Sequence, residues 1–259
     1  MRGGRGRRVF YIENANLLLL GRSVTYYAVM PIVAAVVITA VNCLTAKRSG
    51  FDTSFVFRVS AVTFFCGALG QLYFHMMPAV FLPVLYIMGA CGVVAAFWAA
   101  ARIFKQEEQA VAGLGICSVL LFSMFSKLGC FLTGCCYGRP YEGPLRVVYG
   151  VDTFNPFPGT GRFPAQLLTA LLFLVLSVIA YGVFIKCESY SLMPVFLFCD
   201  LVIYYGGTCL YDQRANQMIL GDFNVALPLA IMAFIGGAAF LWFHFRKKCH
   251  VYNRQKEKS

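Results

Sequence analysis

The chain has 259 residues, of which 59% are hydrophobic and only 13% are charged. A soluble globule with this composition would expose large apolar patches, and a disordered chain carries far fewer apolar residues. Because one membrane-spanning helix needs about 20 apolar residues, the composition predicts an all-α, polytopic integral membrane protein with about seven transmembrane helices.

The formal net charge of +11 does not indicate nucleic-acid binding in a chain of this class. Basic loops and tails anchor a membrane protein to anionic lipid and set its orientation. We therefore predict a membrane partner and no nucleic acid. Most of the 11 cysteines lie in apolar runs, where we interpret them as small packing residues.

In chain order, the apolar runs predict a single membrane domain over residues 23–246 with basic segments at both ends. Residues 1–22 are predicted to form a basic interfacial segment, and residues 247–259 form a basic tail. The long polar segment 137–164 is the largest predicted loop. The spans are expected at 24–45, 54–76, 79–101, 111–134, 165–185, 191–210 and 223–245.

The distribution of basic residues predicts the orientation. If the N-terminal arginines are left out, the loops on one side carry four Lys and Arg residues and those on the other side carry eleven. The more basic side faces the cytoplasm by the positive-inside rule. We therefore expect a cytoplasmic C-terminus and an extracytoplasmic loop at 137–164, although the N-terminal arginine cluster opposes this orientation.

The densest group of polar residues at membrane depth runs from Lys127 to Pro140. Three glycines, Gly129, Gly134 and Gly138, allow backbone or ligand to approach closely. Lys127 and Arg139 bracket the segment with positive charge, which is typical of a phosphate or carboxylate site. The alternatives are helix packing for Gly134 and Gly138 and snorkelling to the interface for the two basic side chains.

Two further polar groups flank the fifth and sixth predicted spans. Arg162, Pro164 and Gln166 open the fifth span, where helix N–H groups and Arg162 would face the same aqueous mouth as Arg139. The segment from Tyr204 to Arg214 ends the sixth span, and its Asp212 and Arg214 are interpreted as a possible ion pair. Tyr27 in the first span fits an aromatic belt by default.

Cys130, Cys135 and Cys136 form the one cysteine cluster in the sequence that is close to these cations. A structural zinc site needs four ligands, and no histidine is near in the sequence, so we predict no metal and no cofactor. Nearby cations lower the pKa of a thiol, so a reactive thiol remains an alternative.

The order of these motifs resembles the prolipoprotein diacylglyceryl transferase family. The family signature Gly-Arg-Ile-Gly-Asn-Phe-x-x-Gly-x-x-x-Gly-Arg corresponds to Ser-Lys-Leu-Gly-Cys-Phe-Leu-Thr-Gly-Cys-Cys-Tyr-Gly-Arg at 126–139. A second family stretch, Arg-His-Pro-x-Gln-Leu-Tyr-Glu-Ala, matches Arg-Phe-Pro-Ala-Gln-Leu-Leu-Thr-Ala at 162–170. A third, Tyr-Gly-x-x-Arg-Phe-x-x-Glu, is weakly matched at 205–213, where Gln213 replaces the glutamate. Lys127 replaces the first signature arginine, and Cys130 replaces the asparagine.

The resemblance implies transfer of diacylglyceryl from phosphatidylglycerol to the thiol of a lipobox cysteine, in the bacterial plasma (inner) membrane. It implies an anionic phospholipid partner and a prolipoprotein signal peptide as acceptor. Lys127, Cys130 and Gln213 would take part in catalysis. The alternatives are a lipid-binding homologue without catalysis and a thiol-dependent enzyme or sensor that uses Cys130, Cys135 and Cys136. The residues expected to bind phospholipid are Lys127, Arg139, Arg162, Tyr27, Gly129, Gly134, Gly138 and Gln166.

Overall fold

The computed structural model describes residues 9–19, 22–74, 82–186, 190–208 and 210–212. Most of these residues are helical. The helices are α1 Tyr26–Arg48, α2 Thr53–Phe74, α3 Leu82–Ile103, α4 Glu108–Thr133, α5 Ala165–Lys186 and α6 Met193–Thr208. The strands are β1 Val9–Asn14, β2 Asn16–Leu19, β3 Arg22–Thr25, β4 Arg146–Asp152 and β5 Gly161–Arg162.

The helical class predicted from composition is confirmed, and each of the first six predicted spans coincides with a helix to within three residues. Four helices of the described part are long and apolar enough to cross a membrane: Tyr26–Arg48, Tyr86–Ile103, Glu108–Thr133 and Ala165–Lys186. Thr53–Gly67 and Met193–Gly207 are shorter apolar helices. The predicted span 223–245 lies outside the described residues, so the count of seven is not confirmed.

Helix α4 is the central element of the bundle. It packs against α1, α3, α5 and α6, and 72% of its most apolar 18-residue window is buried, against 39% or less for the other three candidate spans. Its glycines permit this close packing, since a Cβ at Gly115 would lie 3.1 Å from the Phe97 side chain. Helix α4 is therefore packed closely against its neighbours.

A buried polar network joins four of the helices. The Asn42 amide on α1 donates to Ser60 Oγ on α2 at 3.0 Å and to Ser118 Oγ on α4 at 2.9 Å. Tyr181 on α5 donates from its hydroxyl to Asn42 Oδ1 at 2.8 Å. An unpaired polar group in hydrocarbon is costly, so this network favours one mutual arrangement of the four helices.

The all-α assignment requires a correction, because five short strands lie outside the helices. Strand β1 pairs in parallel with β4, and β4 pairs antiparallel with β5. The segment 137–164, predicted as a loop, therefore supplies two strands, and part of the predicted N-terminal segment pairs with one of them. Alternating β-branched and aromatic residues, Val-Phe-Tyr-Ile in β1 and Val-Val-Tyr in β4, favour this pairing. The sheet lies beyond the C-terminal end of α4 and leads into α5.

Candidate functional site

The chain reverses direction at the end of α4. Gly134 caps the helix with φ +77°, and its N–H donates to the Cys130 carbonyl at 3.0 Å. A side chain there would be strained, and a Cβ would lie 2.9 Å from the Tyr149 ring. Cys136 also has a positive φ, of 52°. These two left-handed residues fold Cys135 and Cys136 back toward Cys130.

Lys127 is buried in α4 rather than snorkelling, because its side chain is 5% exposed. Its ammonium donates to Tyr211 Oη at 3.1 Å and lies 4.2 Å from the centre of the Tyr204 ring. The face of an aromatic ring stabilises a cation only in part. Among the described residues no carboxylate lies within 4.0 Å of this ammonium. A buried cation with no carboxylate within this distance attracts an anion.

Arg162 on β5 is also buried, and it has a counter-ion. Its guanidinium donates to Asp212 Oδ2 at 2.8 Å and stacks near the rings of Tyr137 and Phe157, at 5.0 and 4.7 Å. The Nε–H of Arg162 is buried without a hydrogen-bond partner among the described residues. Arg162 therefore has one buried donor left for an anion, although its charge is already balanced.

Tyr211 and Asp212 connect the two cations. Tyr211 receives the hydrogen bond of Lys127, and the next residue pairs with Arg162. The Asp212 N–H donates to the Tyr137 carbonyl at 3.0 Å, and Tyr211 forms a bridge with Gly138. Burial raises the pKa of the Tyr211 hydroxyl, so it stays neutral beside Lys127. Arg214, the predicted partner of Asp212, lies outside the described residues; within them Asp212 pairs with Arg162.

Gly138 is needed for this arrangement because backbone approaches it very closely. A Cβ at this position would lie 2.1 Å from the Phe163 carbonyl oxygen. The Phe163 N–H in turn donates to the Arg139 carbonyl at 2.9 Å. The loop after α4 and the entry to α5 are thus in direct contact, and this contact brings Arg162 to the loop.

Gln166 lies at the start of α5 and is fully buried. Its amide nitrogen donates to the Cys135 carbonyl at 2.7 Å and contacts the Tyr149 hydroxyl at 3.4 Å. The Cys135 carbonyl can only accept, so it is bound by the amide nitrogen of Gln166 and not by the amide oxygen. That oxygen is buried and has no partner among the described residues. Burial raises the pKa of the Tyr149 hydroxyl. The Gln166 amide oxygen is therefore available to a hydroxyl or thiol of a ligand.

The thiols of Cys130, Cys135 and Cys136 are free, and their sulfurs lie within 4.8 Å of one another. Hydrogen bonds from Cys130 and Cys135 lower the pKa of the Cys136 thiol, and the Lys127 ammonium adds to this effect against the opposing effect of burial. The turn after α4 thus brings the three thiols, which lie within seven residues of the sequence, together beside the buried cation.

The remaining predicted residues occupy different places. Tyr27 and Gly129 line a small cavity of about 10 Å³ between α1 and α4, which is near the minimum volume for one water molecule. A Cβ at Gly129 would meet the Met30 side chain at 3.3 Å, so this glycine acts in helix packing. Arg139 has an exposed side chain at the edge of the loop. Gln213 lies outside the described residues.

Sequence analysis missed a buried acid next to this site. Asp200 on α6 is fully buried, and one of its oxygens accepts from the Tyr86 hydroxyl at 2.6 Å, while its Oδ1 has no partner among the described residues. The Tyr86 ring stacks at 3.8 Å on Tyr204, which contacts Lys127. A lone acid within an apolar run was the signal in the sequence, since ionisable residues at membrane depth are rare and functional by default.

Comparison with known proteins gives one family and two curated relatives. The sequence model of the prolipoprotein diacylglyceryl transferase family matches residues 16–243. A phosphatidylglycerol–prolipoprotein diacylglyceryl transferase of Clostridium tetani is 46% identical over 39 residues, which cover 15% of this chain and 16% of that protein. A protein of the same name from Rhodopirellula baltica is 26% identical over 150 residues, covering 50% of this chain and 30% of that protein. The matched parts thus span less than a third of either relative.

Proposed function

Since the chain belongs to the prolipoprotein diacylglyceryl transferase family, we propose that it transfers diacylglyceryl from phosphatidylglycerol to the thiol of a lipobox cysteine. The observation that carries this proposal is the buried ammonium of Lys127, which has no carboxylate within 4.0 Å among the described residues. A phospholipid phosphate would supply the missing negative charge. The names of the two relatives support the same reaction and do not favour a lipid-binding or sensor role.

The proposed roles follow from what each side chain contacts. Lys127 would bind the phosphate that becomes the leaving group and stabilise the charge that develops on it. Arg162 would donate its unpartnered Nε–H to the same phosphate. The consecutive residues Tyr211 and Asp212 lie between it and Lys127. Gln166 would orient a hydroxyl or thiol through its unpartnered amide oxygen.

The other predicted residues have weaker structural support for direct contact with the lipid. Gly134 and Gly138 shape the loop that holds the cations. Tyr27 and Gly129 line the adjacent cavity, and the exposed Arg139 would attract an anionic headgroup before it enters. Roles for Cys130 and Gln213 remain proposals from the resemblance.

In the proposed reaction the acceptor sulfur attacks the glyceryl carbon that carries the phosphate. The new C–S bond forms as the C–O bond breaks, and the electron pair of that bond leaves with glycerol phosphate. The acceptor loses its thiol proton, because the thiolate is the nucleophile. The described residues supply fixed positive charge for the leaving group, and fixed charge needs no reorganisation during the reaction.

The test uses the full chain purified in detergent, phosphatidylglycerol labelled in its acyl chains, and a lipobox peptide. We expect labelled thioether from the wild type, and a loss of about 10²–10³-fold in kcat for Lys127→Met, as for removal of other preorganised electrostatic groups. Lys186→Ala is the matched control, since it removes an exposed lysine at the end of α5. No thioether from the folded wild type would refute the proposed reaction.

We also propose that the protein resides in the bacterial plasma membrane with the segment 137–164 outside and the C-terminus in the cytoplasm. The apolar helices and the family support a multi-pass membrane protein. The orientation depends on the excess of basic residues on the cytoplasmic side. A C-terminal reporter that is active only in the periplasm would contradict it.

A further inference from the structure

Cys130, Cys135 and Cys136 form a cluster at the end of α4, where the chain reverses direction. The three thiols meet within 4.8 Å of one another, and Cys136 joins them with a positive φ of 52°, which is uncommon for a residue other than glycine. A non-glycine residue at positive φ costs of order 1 kcal/mol or more, and it persists only where the surrounding structure enforces it. The other free cysteines of the described residues belong to no such cluster.

The spacing of the sulfurs suits a thiophilic metal ion. The three sulfurs lie within 4.8 Å of one another, so an ion at their centre lies at most about 2.8 Å from each sulfur. A zinc–thiolate bond is about 2.3 Å long, so each sulfur needs to move inward by at most about half an ångström. Each of the three side chains can supply such a shift by a small rotation about its Cα–Cβ bond.

The surroundings of the cluster support and orient the three thiols. Gln166 holds the Cys135 carbonyl at 2.7 Å, and the Thr133 hydroxyl lies 3.5 Å from Cys135 Sγ. Hydrogen-bonding neighbours of this kind fix the orientation of metal ligands. Lys127 precedes Cys130 by three residues on α4, so both side chains lie on one face of the helix.

We propose that Cys130, Cys135 and Cys136 bind one Zn²⁺ ion and leave its fourth position open for the thiol acceptor. Tetrahedral zinc with three protein ligands is typical of sites where the fourth position takes water or substrate. Cys130 is buried, whereas Cys135 and Cys136 are half-buried, so one side of the cluster is accessible. A structural zinc site with four ligands is not predicted from the sequence, whereas the geometry points to a site with three protein ligands.

The role of this ion rests on the proposed function. A thiol that coordinates zinc is held as the thiolate, so its proton passes to water when the acceptor binds. The zinc-bound sulfur would then form the C–S bond to the glyceryl carbon while the C–O bond to phosphate breaks, and glycerol phosphate takes the electron pair. Zinc is neither oxidised nor reduced in this step.

The test measures zinc in the full chain, purified in detergent from cells grown with added zinc. We expect about one zinc per chain in the wild type, and a loss of most of that zinc in Cys130→Ser, Cys135→Ser and Cys136→Ser. Cys66→Ser is the matched control, because Cys66 is exposed on α2 and lies outside the cluster. Wild-type protein without zinc, or equal zinc in the cluster variants, overturns the proposal.

A second measurement does not require the variants to fold. Co²⁺ is titrated into metal-stripped wild-type protein, and we expect a thiolate-to-cobalt charge-transfer band that saturates at about one ion per chain. Bound Zn²⁺ should also protect three cysteines from alkylation, as counted by mass spectrometry. The absence of a charge-transfer band overturns the site. A disulfide between two of the three cysteines, found in protein whose thiols were trapped at lysis, also overturns it.

The transferase reaction and the zinc site can be refuted independently of each other. One zinc per chain without any thioether product leaves the metal site in place and refutes the transferase reaction. Thioether formed at an undiminished rate by metal-stripped protein refutes zinc activation of the acceptor and leaves the transferase reaction in place. A thioether rate that falls on stripping and returns with Zn²⁺ supports both.

Discussion

The Arg162–Asp212 pair allows a quantitative test of how the site is stabilised. Arg162 is 3% exposed, so water cannot hydrate its guanidinium if the carboxylate at 2.8 Å loses its charge. Removing one partner of a buried pair costs about 3–5 kcal/mol, because the other charge is left uncompensated. The Tyr137 and Phe157 rings stay in place in Asp212→Asn and retain some cation–π stabilisation. We therefore expect a loss near the lower limit, about 3 kcal/mol.

In a chain of about this size, 1 kcal/mol shifts the melting temperature by roughly 2–4 °C. Asp212→Asn should therefore lower the Tm by about 6–12 °C, measured in detergent by circular dichroism. Glu142→Gln is the matched control, because it breaks an Arg–carboxylate pair whose glutamate is 75% exposed. An exposed pair contributes about 0–1 kcal/mol, so this control should shift the Tm by less than about 4 °C.

Two results would refute this reasoning. If Asp212→Asn and Glu142→Gln lower the Tm equally, the buried charge of Arg162 does not depend on Asp212. The double variant Arg162→Met with Asp212→Asn should lose less stability than the two single variants lose together. If its loss of stability equals that sum, the two residues are not coupled. Phosphatidylglycerol should raise the Tm of Asp212→Asn more than that of the wild type, since the lipid phosphate would replace the missing carboxylate. Phosphatidylcholine is the control lipid.

Three other variants test the fold and the site. Asn42→Leu should lower stability by about 1–3 kcal/mol in the same melting assay, since it removes three interhelical hydrogen bonds worth about 0.6 kcal/mol each. Gly138→Ala should lower both the Tm and thioether formation, because its Cβ would overlap the Phe163 carbonyl. Gly182→Ala, where a Cβ meets open space inside α5, should lower neither, since alanine is the better helix former. Asp200→Leu should reduce thioether formation if the stacked Tyr86 and Tyr204 rings position Lys127, and unchanged kinetics would contradict that link.

Composition and hydropathy alone determined the helical membrane class and the approximate bounds of six helices. This is possible because a helix that crosses lipid must be apolar along its whole length, which leaves a continuous signal in the sequence. The sequence also identified Lys127 and Arg162 as cations near a glycine-rich loop. It did so because charge at membrane depth is rare and costly.

Only the tertiary structure decided which groups these residues contact. Arg162 has Asp212 as its counter-ion, whereas Lys127 has aromatic rings and no carboxylate within 4.0 Å among the described residues. The parallel pairing of β1 with β4 joins segments more than 130 residues apart, and the clustering of three cysteines depends on two left-handed residues after α4. The ion pair and the strand pairing depend on packing between distant segments, and the cysteine cluster depends on local backbone conformation. Hydrophobic periodicity carries no information about either.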